Sequence, residues 1–117
     1  MLFRSNEYQT KATSTAIYPQ RGFNPIYPVL GLNGEAGEVA EIIKKVIRDG
    51  DSWVDDDARD DLLYELGDCL WYISAICDEL GFDLNVVALA NLDKLADRQR
   101  RDRLNGSGDK KIGRAHV

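Results

Sequence analysis

Two long stretches of this sequence repeat apolar residues at three-and-four spacing, and that repetition leaves little choice of fold. The first runs Val29, Leu32, Ala36, Val39, Ile43, Val46 and stops at Asp49-Gly50-Asp51, with Pro28 in the first turn, where a helix tolerates proline. The second runs Leu62, Leu66, Cys69, Ile73, Ile76, Leu80 and is stopped by Gly81. Residues 5–17 read as a short helix capped by Ser5 and weakened by Thr10, Thr13, Ser14 and Thr15. Residues 18–27 hold two prolines, a glycine and an asparagine and read as a loop. Asp83 stands to cap a last helix running to about Arg101, with Leu84, Val87, Ala88, Leu92, Leu95 and Ala96 on its apolar side. No strand pattern, internal repeat or linker interrupts the series. The expected class is all-α, a bundle of four to five helices in one catalytic domain over 1–104, with a flexible basic tail over 105–117.

Several functions are excluded by what the chain carries. Cys69 and Cys77 lack metal-ligand spacing and the one histidine, His116, is next to the last residue, which removes a zinc site and a Ser/His/Asp triad. No apolar run approaches the roughly 20 residues of a membrane span, and no signal segment is visible at the start, so the expected location is the cytoplasm. The net charge of −5 conceals an asymmetry: residues 1–97 hold 8 Lys+Arg against 18 Asp+Glu, and residues 98–117 hold 7 against 2. An acidic body argues against coating nucleic acid, while a small phosphorylated ligand remains compatible with metal ions on the body and cations on the tail.

The chemistry lies in the acids of the two central helices. On a wheel of about 100° per residue, Glu35 falls inside the buried arc of its helix and Glu38 at about −60°, on the edge of that arc. Glu65 and Asp68 repeat the layout on the second helix. A single acid in an apolar stripe ordinarily reaches water or pairs with a cation, as Glu38 could with Lys45. The same arrangement at matching positions on two helices argues against four independent accidents. Packing the stripes together concentrates four carboxylates, and a cation is the economical relief of their repulsion. All-oxygen ligation favours Mg²⁺, Mn²⁺ or Ca²⁺ over zinc, and few protein ligands with room for water and phosphate oxygens is the habit of Mg²⁺.

The segment Gly31-Leu32-Asn33-Gly34-Glu35-Ala36-Gly37-Glu38-Val39-Ala40-Glu41, then Lys44-Lys45, then Glu65-Leu66-Gly67-Asp68-Cys69-Leu70-Trp71-Tyr72, resembles the ExxE and ExxD halves of the MazG-like nucleoside triphosphate pyrophosphohydrolases. Gly34 stands where many members carry another Glu, which makes the chain more similar to the short dCTP-pyrophosphatase-like subgroup. The resemblance implies an all-α enzyme that hydrolyses nucleoside triphosphates, deoxynucleotides among them, to monophosphate and pyrophosphate with Mg²⁺, assembled as a dimer or tetramer. It implies Glu35, Glu38, Glu65 and Asp68 as metal ligands, Mn²⁺ being a possible substitute for Mg²⁺, and a role in cleaning the nucleotide pool. A divalent ion there would neutralise phosphate charge and acidify the water that attacks the α-phosphorus. Glu38 or Glu41 is the candidate to orient or deprotonate that water.

For the substrate, Asn91, Lys94 and Arg98 share one face of the last helix, and Lys45 is the candidate phosphate ligand of the first. Gln9 and Trp53 are candidates for the base, along with Trp71 and Tyr72, although Trp71 points away from the carboxylates and reads better as an interface residue. Lys110, in the glycine-rich tail, could close over the phosphates. The competing function is a non-enzymatic helical association module with a structural cation. A di-iron bundle would need Glu-x-x-His pairs, which the chain lacks.

Overall fold

The computed structural model describes residues 4–50 and 55–106 of the chain. Its elements are all helical: α1 (Ser5–Thr13), α2 (Ile26–Asp49), α3 (Asp56–Leu80) and α4 (Leu84–Gly106). No strand occurs among the described residues. The all-α expectation holds, with four helices, and each long apolar repeat is one long helix. The chain divides after Leu84 into a unit built on α1, α2 and α3 and a second unit that carries the remainder of α4. None of these helices is long and apolar enough to cross a membrane.

The helix ends follow local chemistry. Asp55 caps α3 by accepting a hydrogen bond from the Ala58 N–H at 2.8 Å, and Asp56 and Asp57 stand in the first turn, where the helix dipole favours anions. Asp55→Ala is expected to cost about 1 kcal/mol of stability in urea denaturation. At the other end Gly81 takes the left-handed conformation, φ 77°, while Phe82 N–H donates to Cys77 O at 2.8 Å and Gly81 N–H to Asp78 O at 3.3 Å, the bonding of a Schellman motif.

Helix α1 is shorter than the 5–17 expected, and Ser5 is its first helical residue rather than its cap, which is Arg4. The hydroxyls that weaken the segment also end it. Thr13 Oγ1 donates to Gln9 O, Ser14 Oγ to Lys11 O and Thr15 Oγ1 to Ala12 O, so these side chains take over carbonyls at the helix end. At the other end of the chain α4 continues past Arg101 to Gly106, so the first two residues assigned to the tail are helical. Residues 107–117 lie outside the described residues.

Within the first unit α2 packs chiefly on α3, and α1 also packs on α3. A small core of Ala16, Tyr18 and Ala75, with Trp71 against it, sits where the segment after α1 crosses α3. That segment is organised by one carboxylate. Glu79 accepts from Tyr18 Oη at 2.5 Å, from Gly22 N–H at 2.7 Å and from Asn24 N–H at 2.8 Å. Tyr18 stacks on Tyr27 in the first turn of α2, ring centroids 5.0 Å apart and 12° from parallel. The start of α2 is thereby fixed relative to the end of α3.

Candidate metal centre

Helices α2 and α3 run antiparallel, in a register that sets Gly31 against Tyr72, Glu35 beside Asp68 and Ile42 beside Asp61. This register, with the in-phase stripes, gathers Glu35, Glu65 and Asp68: each offers a carboxylate oxygen within 4.8 Å of those of the other two. Glu35 and Glu65 are half-buried and Asp68 is exposed. The Oε1 atom of Glu65 is buried and has no hydrogen-bond partner. A buried acceptor left unmatched is costly, and this one belongs to a member of the three-acid group.

The electrostatics of the neighbours record the concentration of charge. The Glu65 carboxyl is pushed above its ordinary value by a hydrogen bond shared with Glu35, then by burial, then by the charges of Glu35, Asp68 and Asp61. Burial pushes the Cys69 thiol up, and Glu35, Glu65 and Asp68 push it further, so it stays a protonated bystander. The phenol of Tyr8 on α1 is raised by burial and then by Asp68. The phenol of Tyr72 is raised by burial, then by Tyr27, Glu35 and Asp68.

The donor set fits a hard divalent cation. All three groups offer oxygen. Oxygens on one octahedral Mg²⁺ stand about 3.0 Å apart when adjacent and about 4.2 Å apart when opposite, so three oxygens within 4.8 Å of one another would have to draw together to share one ion. Beside the group lies a recess of about 370 Å³ lined by Glu35, Asp68, Trp71 and Tyr72.

The remaining sequence candidates are distributed as follows. Glu38 is exposed and outside the three-acid group, although Asp68, at the same offset on its own helix, belongs to it. Glu41 pairs with Lys44 at 3.3 Å. Lys45 lines a second recess of about 420 Å³, with Ile42, Asp49, Asp55 and Asp61 around it, and forms no ion pair with Glu38. Asn91, Lys94 and Arg98 lie on α4, the first two exposed and Arg98 half-buried. Trp53 and Lys110 fall outside the described residues.

Two expectations are corrected. Gln9 is buried and its amide is committed to backbone: Nε2 donates to Phe82 O at 3.0 Å, and Oε1 accepts from Leu84 N–H at 2.8 Å. It clamps the turn after α3 onto α1, so its amide has a structural role within the fold. Trp71 is not turned away from the acids. It lines their recess and donates through Nε1 to Thr15 Oγ1 at 2.9 Å and Ala12 O at 3.2 Å. The wheel considered only the α2 partner, whereas α1 occupies the other side of α3. Tyr8 and Glu79 were not singled out by the sequence at all.

The family model of the MazG nucleotide pyrophosphohydrolase domain matches residues 25–101, a span that holds α2, α3 and most of α4. The chain is also similar to the Gene 37 protein of Mycobacterium phage L5, 43% identical over 107 residues that cover 87% of this chain and 94% of that protein. No solved structure matches.

Proposed function

The chain belongs to the MazG nucleotide pyrophosphohydrolase family, and on that premise we propose that it hydrolyses nucleoside triphosphates, deoxynucleotides among them, to the monophosphate and pyrophosphate with Mg²⁺. The observation that carries this reading is the group Glu35, Glu65 and Asp68, in which Glu65 has a buried carboxylate oxygen with no hydrogen-bond partner. These three carboxylates would hold the ion. When bound, the ion supplies charge neutralisation at the phosphate oxygens and a water of lowered pKa.

The chain's own groups supply placement. The recess beside Glu35 and Asp68 gives the substrate a place next to the acids, walled by Trp71 and Tyr72. Glu38, exposed one turn along α2 from Glu35, is the carboxylate suited to orient the attacking water, since Glu41 is engaged by Lys44. The role that fits such an activity is cleaning the cytoplasmic nucleotide pool. Self-association into a dimer or tetramer belongs to the same reading: Leu63 and Tyr64 on α3 and Leu30 on α2 are all more than half exposed, at 65%, 73% and 65%.

The test is a panel of canonical and modified triphosphates with Mg²⁺, scored for pyrophosphate and monophosphate, on the parent and on Glu38→Gln. The parent is expected to release the two products in equal amounts and the variant to turn over at least about a hundredfold more slowly, the low end of what a general base contributes. Orthophosphate and diphosphate as products would reject cleavage between the α and β phosphates. Metal-dependent thermal stability with no pyrophosphate release would favour a structural cation instead.

A further inference from the structure

Helix α2 contains three glycines in the span that carries the acids, and one differs from the others. A Cβ built at Gly34 or Gly37 meets nothing within 4 Å, and the same is true of Gly67 on α3. A Cβ built at Gly31 would overlap the ring of Tyr72 at Cε1, Cζ and Cδ1. Gly31 has an ordinary helical backbone, so no turn or positive φ calls for glycine there. Glycine inside a helix weakens it relative to alanine. What the residue provides at this position is room for an aromatic ring lying directly on the α2 backbone.

The place of that contact matters. Gly31 is one turn before Glu35 on α2, and Tyr72 is one turn after Asp68 on α3. With a rise of about 5.4 Å per turn, the contact is the helix-crossing layer next to the acids. The separation of two packed helices is set by the side chains at their contact. Tyr72 also packs on an anchored neighbour: the Trp71 and Tyr72 rings meet at 84°, centroids 5.0 Å apart, and the Trp71 indole is tied to Ala12 and Thr15. The ring is a spacer with an anchored neighbour, and Gly31 is the surface it rests on.

We propose that Gly31 and Tyr72 form a positioning pair that fixes how closely α2 and α3 approach at Glu35, Glu65 and Asp68, and so sets the affinity of that group for a divalent cation. The inference rests on the reading of the three carboxylates as the metal site. Asp68 has a short side chain and cannot follow an outward shift of α2, so a methyl group at Gly31 moves Glu35 away from oxygens that must reach the same ion.

The experiment is calorimetric titration with Mn²⁺ or Mg²⁺ alone, without nucleotide, on the parent, Gly31→Ala, Tyr72→Phe, Tyr72→Leu and the double variant Gly31→Ala/Tyr72→Leu, with helicity and thermal unfolding of each metal-free protein recorded alongside. Gly31→Ala is expected to keep its helicity and to bind metal about 10- to 100-fold more weakly, the range seen when a group that orients metal ligands is lost. Tyr72→Phe keeps the ring and should bind like the parent. Tyr72→Leu alone should weaken binding, and the double variant should recover part of what Gly31→Ala lost, because the added methyl then has space. Parent-like affinity in Gly31→Ala, or losses that simply add in the double variant, would overturn the pair while leaving the metal site standing. A parent that binds neither ion would remove the metal site itself and the pair's proposed role with it. If Gly31→Ala does not fold, Tyr72→Leu decides the matter, and affinity equal to the parent overturns the proposal.

Discussion

Mg²⁺ is expected to raise the melting temperature of the parent, and Glu65→Gln is expected to raise that of the metal-free protein while abolishing the response to Mg²⁺. Both halves follow from the geometry. Glu65 shares a cluster with Glu35 and Asp68, its carboxyl is pushed up by its neighbours, and its Oε1 is buried without a partner. An amide removes one of the crowded charges and can donate to Glu35, which relieves the metal-free fold. It also removes an anionic oxygen from the set that would hold the ion, so turnover should fall by at least about a hundredfold. The measurement is thermal unfolding with and without Mg²⁺, and with chelator, on parent and variant, next to pyrophosphate release. A variant that is less stable than the parent in chelator would contradict the crowding, and a variant that still gains stability from Mg²⁺ would remove Glu65 from the metal site.

Glu79→Ala should be the most damaging change away from the acids. Three donors converge on this carboxylate, two of them main-chain N–H groups of the segment between α1 and α2. Burial alone would push the Glu79 carboxyl up, but the Tyr18 hydroxyl and the Gly22 and Asn24 amides outweigh it and hold the group below its ordinary value of 4.5. Hydrogen bonds to a charged group contribute about 1.5–3 kcal/mol each, and water can replace part of this at Gly22, which is exposed, so a net loss of about 2–4 kcal/mol is expected in urea denaturation. The pH dependence has a definite sign. A carboxyl whose folded value is depressed stabilises the fold fully above its ordinary value and loses that contribution as pH falls through the folded one. The parent should therefore weaken below about pH 4.5 more steeply than Glu79→Gln in acid titrations of the two, and curves of equal slope would show that no such contribution exists.

How much of this was legible beforehand depended on whether one helix sufficed to see it. The helices α2 and α3 and the stop at Gly81 follow from period and phase within single helices, although α2 begins at Ile26, inside the segment expected to be a loop, and the in-phase stripes bring together three of the four acids, Glu35, Glu65 and Asp68. Glu38 shows the limit of the wheel. It has the same offset from Glu35 as Asp68 has from Glu65, and a difference of this kind is decided by how the helices sit against each other, which the wheel does not contain. Glu79 was invisible for a different reason. An acid in the last turn of a helix opposes the dipole and reads as an ordinary surface residue, and its partners are backbone amides in a segment with no periodicity. The contact between Gly31 and Tyr72 needs the register of two helices before the glycine means anything. The tie from Trp71 to Ala12 and Thr15 likewise needs the position of α1, whose short and threonine-rich sequence offers no strong phase.

The indole of Trp71 touches both parts of the first unit that matter: its N–H ends on α1, and its edge meets Tyr72 beside the acids. A fluorophore so placed should change its emission when an ion draws the carboxylates together and again when α1 lifts from α3. With Trp53 replaced by phenylalanine, stopped-flow optical traces could then time ion capture separately from the loosening of the amino-terminal helix, with no extrinsic dye attached.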